Sequence, residues 1–346
     1  MSQAGSARYR YQIHPLPLRV ALLPARELPA VLRAGDVLAA VGFGAETRID
    51  AHDTRRLSVA LPALGENELV EVWRGSAPVS GGRQGRIVFR EDGRLLYGSL
   101  LVDEPSTPDM ATLVEQAYGE ISGFLQTSRY PCPLRFWNYI PDINRIDGGL
   151  ERYRGFCVGR YAALGRQPDF KALLPAASAV GTTSPGLLIS FVSGKTRPLP
   201  VENPRQISAF HYPTLYSPRS PLFSRAICVN SGNGHLVFLS GTASIVGHRT
   251  RHPGDVVAQA RETCHNIAAV FATIRNRLDR RARSGIMQTG LRVYLRHPGH
   301  FPAVHSVVEK YLATSEQVVY LKGDLCRSDL LLEIEGIFHL AGDFAA

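Results

Sequence analysis

A strand-like run near the C-terminus, Leu330-Leu331-Leu332-Glu333-Ile334-Glu335-Gly336-Ile337-Phe338, carries two carboxylates. Side chains alternate faces along a strand, so Glu333 and Glu335 point one way and Leu332 and Ile334 the other. Such a pair either solvates an open sheet face or works as chemistry. In the second case burial and a like charge raise one pKa and make that group a general acid. Cys326 precedes the run, in Gly323-Asp324-Leu325-Cys326-Arg327-Ser328. A lone thiol there is a small packing residue or part of a site. Farther upstream lies His211-Tyr212-Pro213-Thr214-Leu215-Tyr216-Ser217-Pro218-Arg219-Ser220-Pro221. Prolines stiffen such a loop and fix side chains at low entropic cost. Tyr212, Tyr216 and Arg219 could clamp a carboxylate, since a guanidinium grips both oxygens, or the tyrosines could pack as a surface lid. A helical segment, Leu150 to Arg160, contains Gly155 and Gly159, each costing about 1 kcal/mol of helix stability relative to Ala. Their spacing lets another backbone or a ligand approach. Arg152 and Arg160 fall on similar faces of that helix, and either offers a second cation.

The elements that must position these residues occur twice. A hairpin is expected at Arg86–Arg90 and Leu95–Val102, around Glu91-Asp92-Gly93. Another is expected at Ala226–Asn230 and His235–Ala243. A long amphipathic helix follows each, starting at Thr107-Pro108 in one case and Pro253-Gly254-Asp255 in the other. Then come a strand (134–140; 291–295), a second helix (149–163; 303–312) and two strands (177–180 with 187–192; 317–321 with 330–338). Two ββαβαββ units make an α+β fold with helices packed on one face of each sheet. The first copy of the final strand, Leu187 to Val192, has no acid, so the carboxylates belong to one copy only. The β-like runs at 18–23, 57–61 and 68–73 are expected to complete the first sheet. Lys195 to Pro204 reads as a linker between domains spanning 1–200 and 201–346.

Composition narrows the function. The 346 residues carry 39 Lys+Arg against 30 Asp+Glu, a formal charge of +9, and are 45% hydrophobic. That describes a globular chain with ample core. No apolar run approaches the roughly 18–20 residues that span a bilayer, so no membrane role is expected. The arginines are spread along the chain. The densest cluster, Arg275 to Arg283, ends a helix, where cations complement the dipole, so nucleic acid is not an expected partner. The field suits a small acidic substrate. Five cysteines without a C-x-x-C pair fit a reducing cytoplasm. His248 and His252 have helical spacing but meet Pro253-Gly254, and no metal site is expected. No dinucleotide, P-loop or G-x-S-x-G signature is present.

The second unit, from Ser240-Gly241-Thr242-Ala243-Ser244-Ile245 to Glu333-Ile334-Glu335-Gly336, resembles the YjgF/RidA fold. Arg135-Phe136-Trp137-Asn138-Tyr139-Ile140-Pro141, Glu151-Arg152-Tyr153-Arg154, Tyr212-Pro213, Pro218-Arg219-Ser220-Pro221 and Cys326-Arg327-Ser328-Asp329-Leu330 resemble the chorismatase family over roughly residues 85–340. The resemblance implies an enzyme that cleaves chorismate without metal or organic cofactor. One branch of that family releases pyruvate and 3-hydroxybenzoate, which serves secondary metabolism. The other hydrolyses chorismate to pyruvate and a dihydroxycyclohexadiene carboxylate. Cys326 and Gly241 resemble the 3-hydroxybenzoate branch. Glu333 is the implied acid, with Cys326 beside it, and Arg160, Tyr212, Tyr216, Arg219, Gly241, Tyr153 and Asn138 are the implied substrate-binding set. The alternatives are the hydrolase branch and, outside the family, an imine deaminase or a module that binds a small acid. The strand at 317–321 lacks the arginine a RidA-like deaminase uses.

Overall fold

The structure is a computed structural model that describes residues 18–65, 68–76, 78–103, 109–165, 174–231, 234–277, 286–312 and 317–341. One topology occurs twice. The first unit runs through the hairpin Ile87–Glu91 and Leu95–Val102, helix Met110–Thr127 and strand Cys132–Pro141. Helix Arg152–Leu164 and strands Ala176–Thr182 and Leu187–Gly194 close it. The second runs through Ala226–Asn230, Gly234–Thr242, helix Val256–Arg277, Ile286–Leu295, helix Phe301–Leu312, Val318–Lys322 and Leu332–Ala341. In each sheet the closing strand lies antiparallel between the hairpin's second strand and the strand after the long helix. The remaining pair is parallel. This is the expected duplicated α+β unit.

Burial explains the layering. The first long helix buries Met110, Leu113, Val114, Ala117, Tyr118, Ile121, Phe124 and Leu125 against its sheet. The second buries Ala260, Cys264, Ile267, Val270, Phe271 and Ile274 against the other. The opposite faces of the two sheets share a third core that includes Trp137, Leu188, Phe238 and Ile337. The first helix is capped by Asp109, which accepts from the Thr112 amide at 2.8 Å. The expected start at Thr107-Pro108 lies outside the described residues. Asp255 caps the second helix through the Ala258 amide, and the helix runs to Arg277. Arg280, Arg281 and Arg283 are outside the described residues.

Two expectations change. The N-terminal strands Arg19–Pro24, Val37–Phe43, Arg48–Ile49, Arg56–Val59 and Leu69–Arg74 do not complete the first sheet; they form a five-stranded sheet of their own. Both faces of that sheet are apolar: Val20, Val41, Leu57 and Trp73 enter the shared core, and Val37, Ala40, Val70 and Val72 pack under helix Leu28–Leu32. The sheet therefore serves two cores at once, the shared one and a small one beneath that helix. Ser80–Gln84 is the strand that extends the first sheet. The linker also contains structure, since Leu199–Val201 pairs with Ala226–Asn230 at the edge of the second sheet.

The glycines at 155 and 159 serve helix contact rather than a ligand. A Cβ at Gly159 would collide with the Ala111 carbonyl, and one at Gly155 would press on Met110 at 3.3 Å. Gly159→Ala is therefore expected to destabilise the chain by about 1–3 kcal/mol. Gly119→Ala, in open space on the exposed side of the long helix, should stabilise by up to about 1 kcal/mol. Denaturant unfolding of the two variants checks both signs.

Candidate active site

Glu333 and Glu335 share one face of a central strand, as the alternation required, and that face is buried: the two residues are 5% and 2% exposed. The other face, Leu332 and Ile334, packs beneath the second unit's helices. The carboxylates meet different surroundings. Glu335 accepts from Arg135 Nη2 at 2.5 Å and Trp137 Nε1 at 2.7 Å, and from the Ser178 hydroxyl. Arg292 Nη1 stands 3.4 Å away. Burial opposes ionisation of Glu335, but Arg135 and Arg292 outweigh it and hold the carboxyl below its ordinary value. Glu333 faces the cavity, and its Oε1 has no hydrogen-bond partner among the described residues. Burial, then the charge on Glu335, push Glu333 up to about 8, although Arg135 and Arg225 pull the other way. Glu333 is therefore protonated and Glu335 ionised at neutral pH, the divergence expected of an acid set beside a fixed charge.

The cavity has a volume of about 280 Å³ and lies where the two units meet. Its floor is the junction of Ser178 on the first sheet with Gly241 on the second, joined by the Gly241 amide donating to Ser178 Oγ at 2.9 Å. Register slips between Leu239 and Thr242, so Gly241 sits in an irregularity of the strand beside Glu333. A Cβ at 241 would land on the Glu333 carboxyl, which gives the glycine a physical reason. Asp324–Leu325 leaves the second unit and pairs with Val180 and Gly181 of the first. That crossing brings the half-buried Cys326 into the wall. Burial, then the nearby Glu333, raise the thiol to about 12, so it is not a thiolate at neutral pH.

Arginines stand at two stations. Arg160 is buried with its guanidinium 4.9 Å from the Tyr118 ring centroid and near Phe136 and Phe156. Its Nε and Nη2 have no partner among the described residues, although it lines the cavity. Arg152 is committed elsewhere, to the Pro141 carbonyl and Asp147. At the second station Arg225 donates to the Tyr212 hydroxyl at 2.8 Å. Arg327 stacks 3.8 Å from the Tyr216 ring centroid. The Tyr216 hydroxyl pairs with His248 Nδ1 at 3.1 Å, and that residue's carbonyl accepts from Arg327.

Of the residues singled out in the sequence, Glu333, Cys326, Arg160, Tyr212, Tyr216, Gly241, Tyr153 and Asn138 all line the cavity. Asn138 is fixed by Tyr118 and the Ser178 carbonyl. Arg219 is a correction: it lies outside the lining and stacks 4.8 Å from the Tyr161 ring centroid. The stiff loop turns it away, and Arg225 and Arg327 stand by the tyrosines instead. Sequence reasoning also missed Ser178, which lies in a run with no motif of its own, and Arg135 as the partner of Glu335. Among the described residues no group of three metal-ligating side chains occurs. His252 sits at φ 55° and faces Glu262 at 3.6 Å.

The profile for Chorismatase FkbO/Hyg5-like, N-terminal, matches residues 71–193. A 3-hydroxybenzoate synthase of Streptomyces hygroscopicus is 34% identical over 90% of this chain and 94% of its own. A chorismatase from the same organism is 34% identical over 82% and 83%, and one from Streptomyces rapamycinicus 33% identical over 82% and 86%. A crystal structure of a chorismatase superposes with a TM-score of 0.82 at 30% identity, covering 94% of this chain and 99% of that one. With this span of matched sequence and fold, the chain belongs to the chorismatase family.

Proposed function

We propose that this chain converts chorismate to 3-hydroxybenzoate and pyruvate, with Glu333 as general acid. The observation that carries the reading is a buried carboxyl, one oxygen of which has no partner among the described residues, protonated at neutral pH and facing a cavity with arginines at both sides. Chorismate is a dianion. Arg160 takes one carboxylate, and the Arg225–Arg327 station with Tyr212 and Tyr216 takes the other. Charge-assisted bonds of this kind contribute about 1.5–3 kcal/mol each. Glu333 gives its proton to the methylene carbon of the enol ether, which becomes the methyl group of pyruvate. The substrate's own 4-hydroxyl then attacks C3 as the C3–O bond breaks, and its proton returns to Glu333. The resulting arene-oxide-like ring opens and loses its ring hydrogen to aromatise. No water is consumed, so the atoms of chorismate are shared between the two products. Water would instead enter at the ether carbon and leave a diene diol. Cys326 and the Glu333–Gly241 contact shape the wall where that water would sit.

Four outcomes follow from these roles. Glu333→Gln should keep the fold and bind chorismate but lower kcat by at least about 10²-fold. In the wild type kcat/KM should be level below pH 8 and fall above it, because the acid form is lost as pH rises through about 8; stopped-time product assays across pH check both. Arg160→Ala and Arg225→Ala should each weaken chorismate capture by more than about 2 kcal/mol, read as a rise in KM, since each leaves a substrate carboxylate unpaired. Cys326→Ala frees roughly a water's volume beside polar groups. It should release some dihydroxycyclohexadiene carboxylate, with ¹⁸O from solvent water in the pyruvate. A wild type that yields only that diene diol would make this chain a hydrolase.

A further inference from the structure

The N-terminal sheet is not needed to complete either unit, yet it inserts a carboxylate into the shared core. Glu71 is 3% exposed and takes a two-point contact from Arg292, at 2.9 Å from Nε and 2.5 Å from Nη2. Trp73 Nε1 donates to it at 2.6 Å. Arg292 also donates to the Tyr139 hydroxyl at 2.6 Å and stands 3.4 Å from Glu335. The chain of contacts therefore runs Glu71, Arg292, Glu335, Arg135, each buried. Two cations and two anions cancel in that chain, and Glu333, next on the strand, is the carboxyl left over.

We propose that Glu71 is a positioning residue that acts through Arg292 and Glu335 to balance the buried charges with the proton resident on Glu333. The proposal rests on the reading of Glu333 as the acid. The groups around Glu333 are Glu335 on its own strand, Tyr294 opposite it on the neighbouring strand, Arg135 across the sheet interface, Arg225, and Cys326 in the wall, while Arg292 stands opposite Glu335. Those around Glu71 are Trp73, Arg292, Tyr139 and Tyr97. None of these offers a second anion to Arg292 besides Glu335. Removing the Glu71 charge leaves the cluster with one net positive charge, which favours ionised Glu333. Removing the Arg292 charge does the reverse.

The test reads the protonated-carboxyl stretch of Glu333 by infrared difference spectroscopy across pH in the full chain. The band is identified by its loss in Glu333→Gln, and near-ultraviolet circular dichroism verifies the fold. Glu71→Gln is expected to lower the titration midpoint by about one pH unit or more, a tenfold change in the protonation ratio. The falling limb of kcat/KM should move with it. Arg292→Gln should raise the midpoint, and the charge-neutral double variant Glu71→Gln/Arg292→Gln should return it near the wild-type value. If one single variant does not fold, the other and the double variant carry the same test. Midpoints unmoved, or moved in the same direction by both single variants, overturn the proposal, because loss of a purely structural contact lowers kcat without opposite shifts. The band is read without substrate. Full turnover in Glu333→Gln would thus overturn the acid assignment, and an unmoved band the coupling to Glu71.

Discussion

Two carboxylates on one strand face, enclosed between sheets, cannot both be ionised without cations to match each. That constraint organises the centre of this molecule. A buried charge needs a partner and hydrogen bonds for its remaining lone pairs, and the desolvation cost of each ion is several kcal/mol even after relaxation. Glu335 meets the requirement with Arg135, Arg292, Trp137 and Ser178. Glu333 does not, and keeps a proton instead. The same requirement ties three sheets together. Arg135, Trp137 and Ser178 come from the first unit, Arg292 and Glu335 from the second, and Glu71 from the N-terminal sheet. The polar network and the apolar core around Trp73, Trp137 and Tyr139 are thus two sides of one junction.

The duplication places this junction at the cavity. Each unit offers helices to one face of its sheet and leaves the other face to be covered. Covering each open face with the other unit brings Ser178 against Gly241 and Arg135 against Glu335. Only one copy carries acids, because Ser190 and Val192 occupy the comparable closing strand of the first unit. Asymmetry at those positions leaves one acid site where two units meet.

Much of this was legible from the chain. The repeat of hairpin, long helix and closing strand follows from periodicity and turn residues, and the facing of Glu333 and Glu335 follows from strand alternation alone. The resemblance to chorismatases brought Arg160, Tyr212 and Tyr216 to the cavity. What was not legible depends on which sheet covers which. The N-terminal strands have patterns that fit an added edge as well as a separate sheet, and only packing on both faces decides. Arg219 reads as a clamp because it stands beside the tyrosines in sequence. In space Arg225 reaches Tyr212 from just before strand Ala226–Asn230, and Arg327 reaches Tyr216 from just after Asp324–Leu325. Ser178 carries no sequence signal, since its role depends on a bulge in another sheet.

Proton position and product choice are separable in this arrangement. On the proposed reading, the proton is held by the charge network, whose members meet the same strand face at Glu335. Product choice, on the same reading, concerns the wall beside that carboxyl, where Gly241 leaves room for it and Cys326 contributes a neutral thiol. A thiolate there would add a second negative charge to that of Glu335 beside the protonated Glu333. Burial prevents it, so the side chain can exclude water by volume without altering the charge balance. A larger side chain at 241 would instead push directly on the acid, changing its position and the neighbouring space together. On the proposed reading, substitution at Cys326 alters the space beside the acid and leaves its charge partners in place, whereas substitution at 241 alters both.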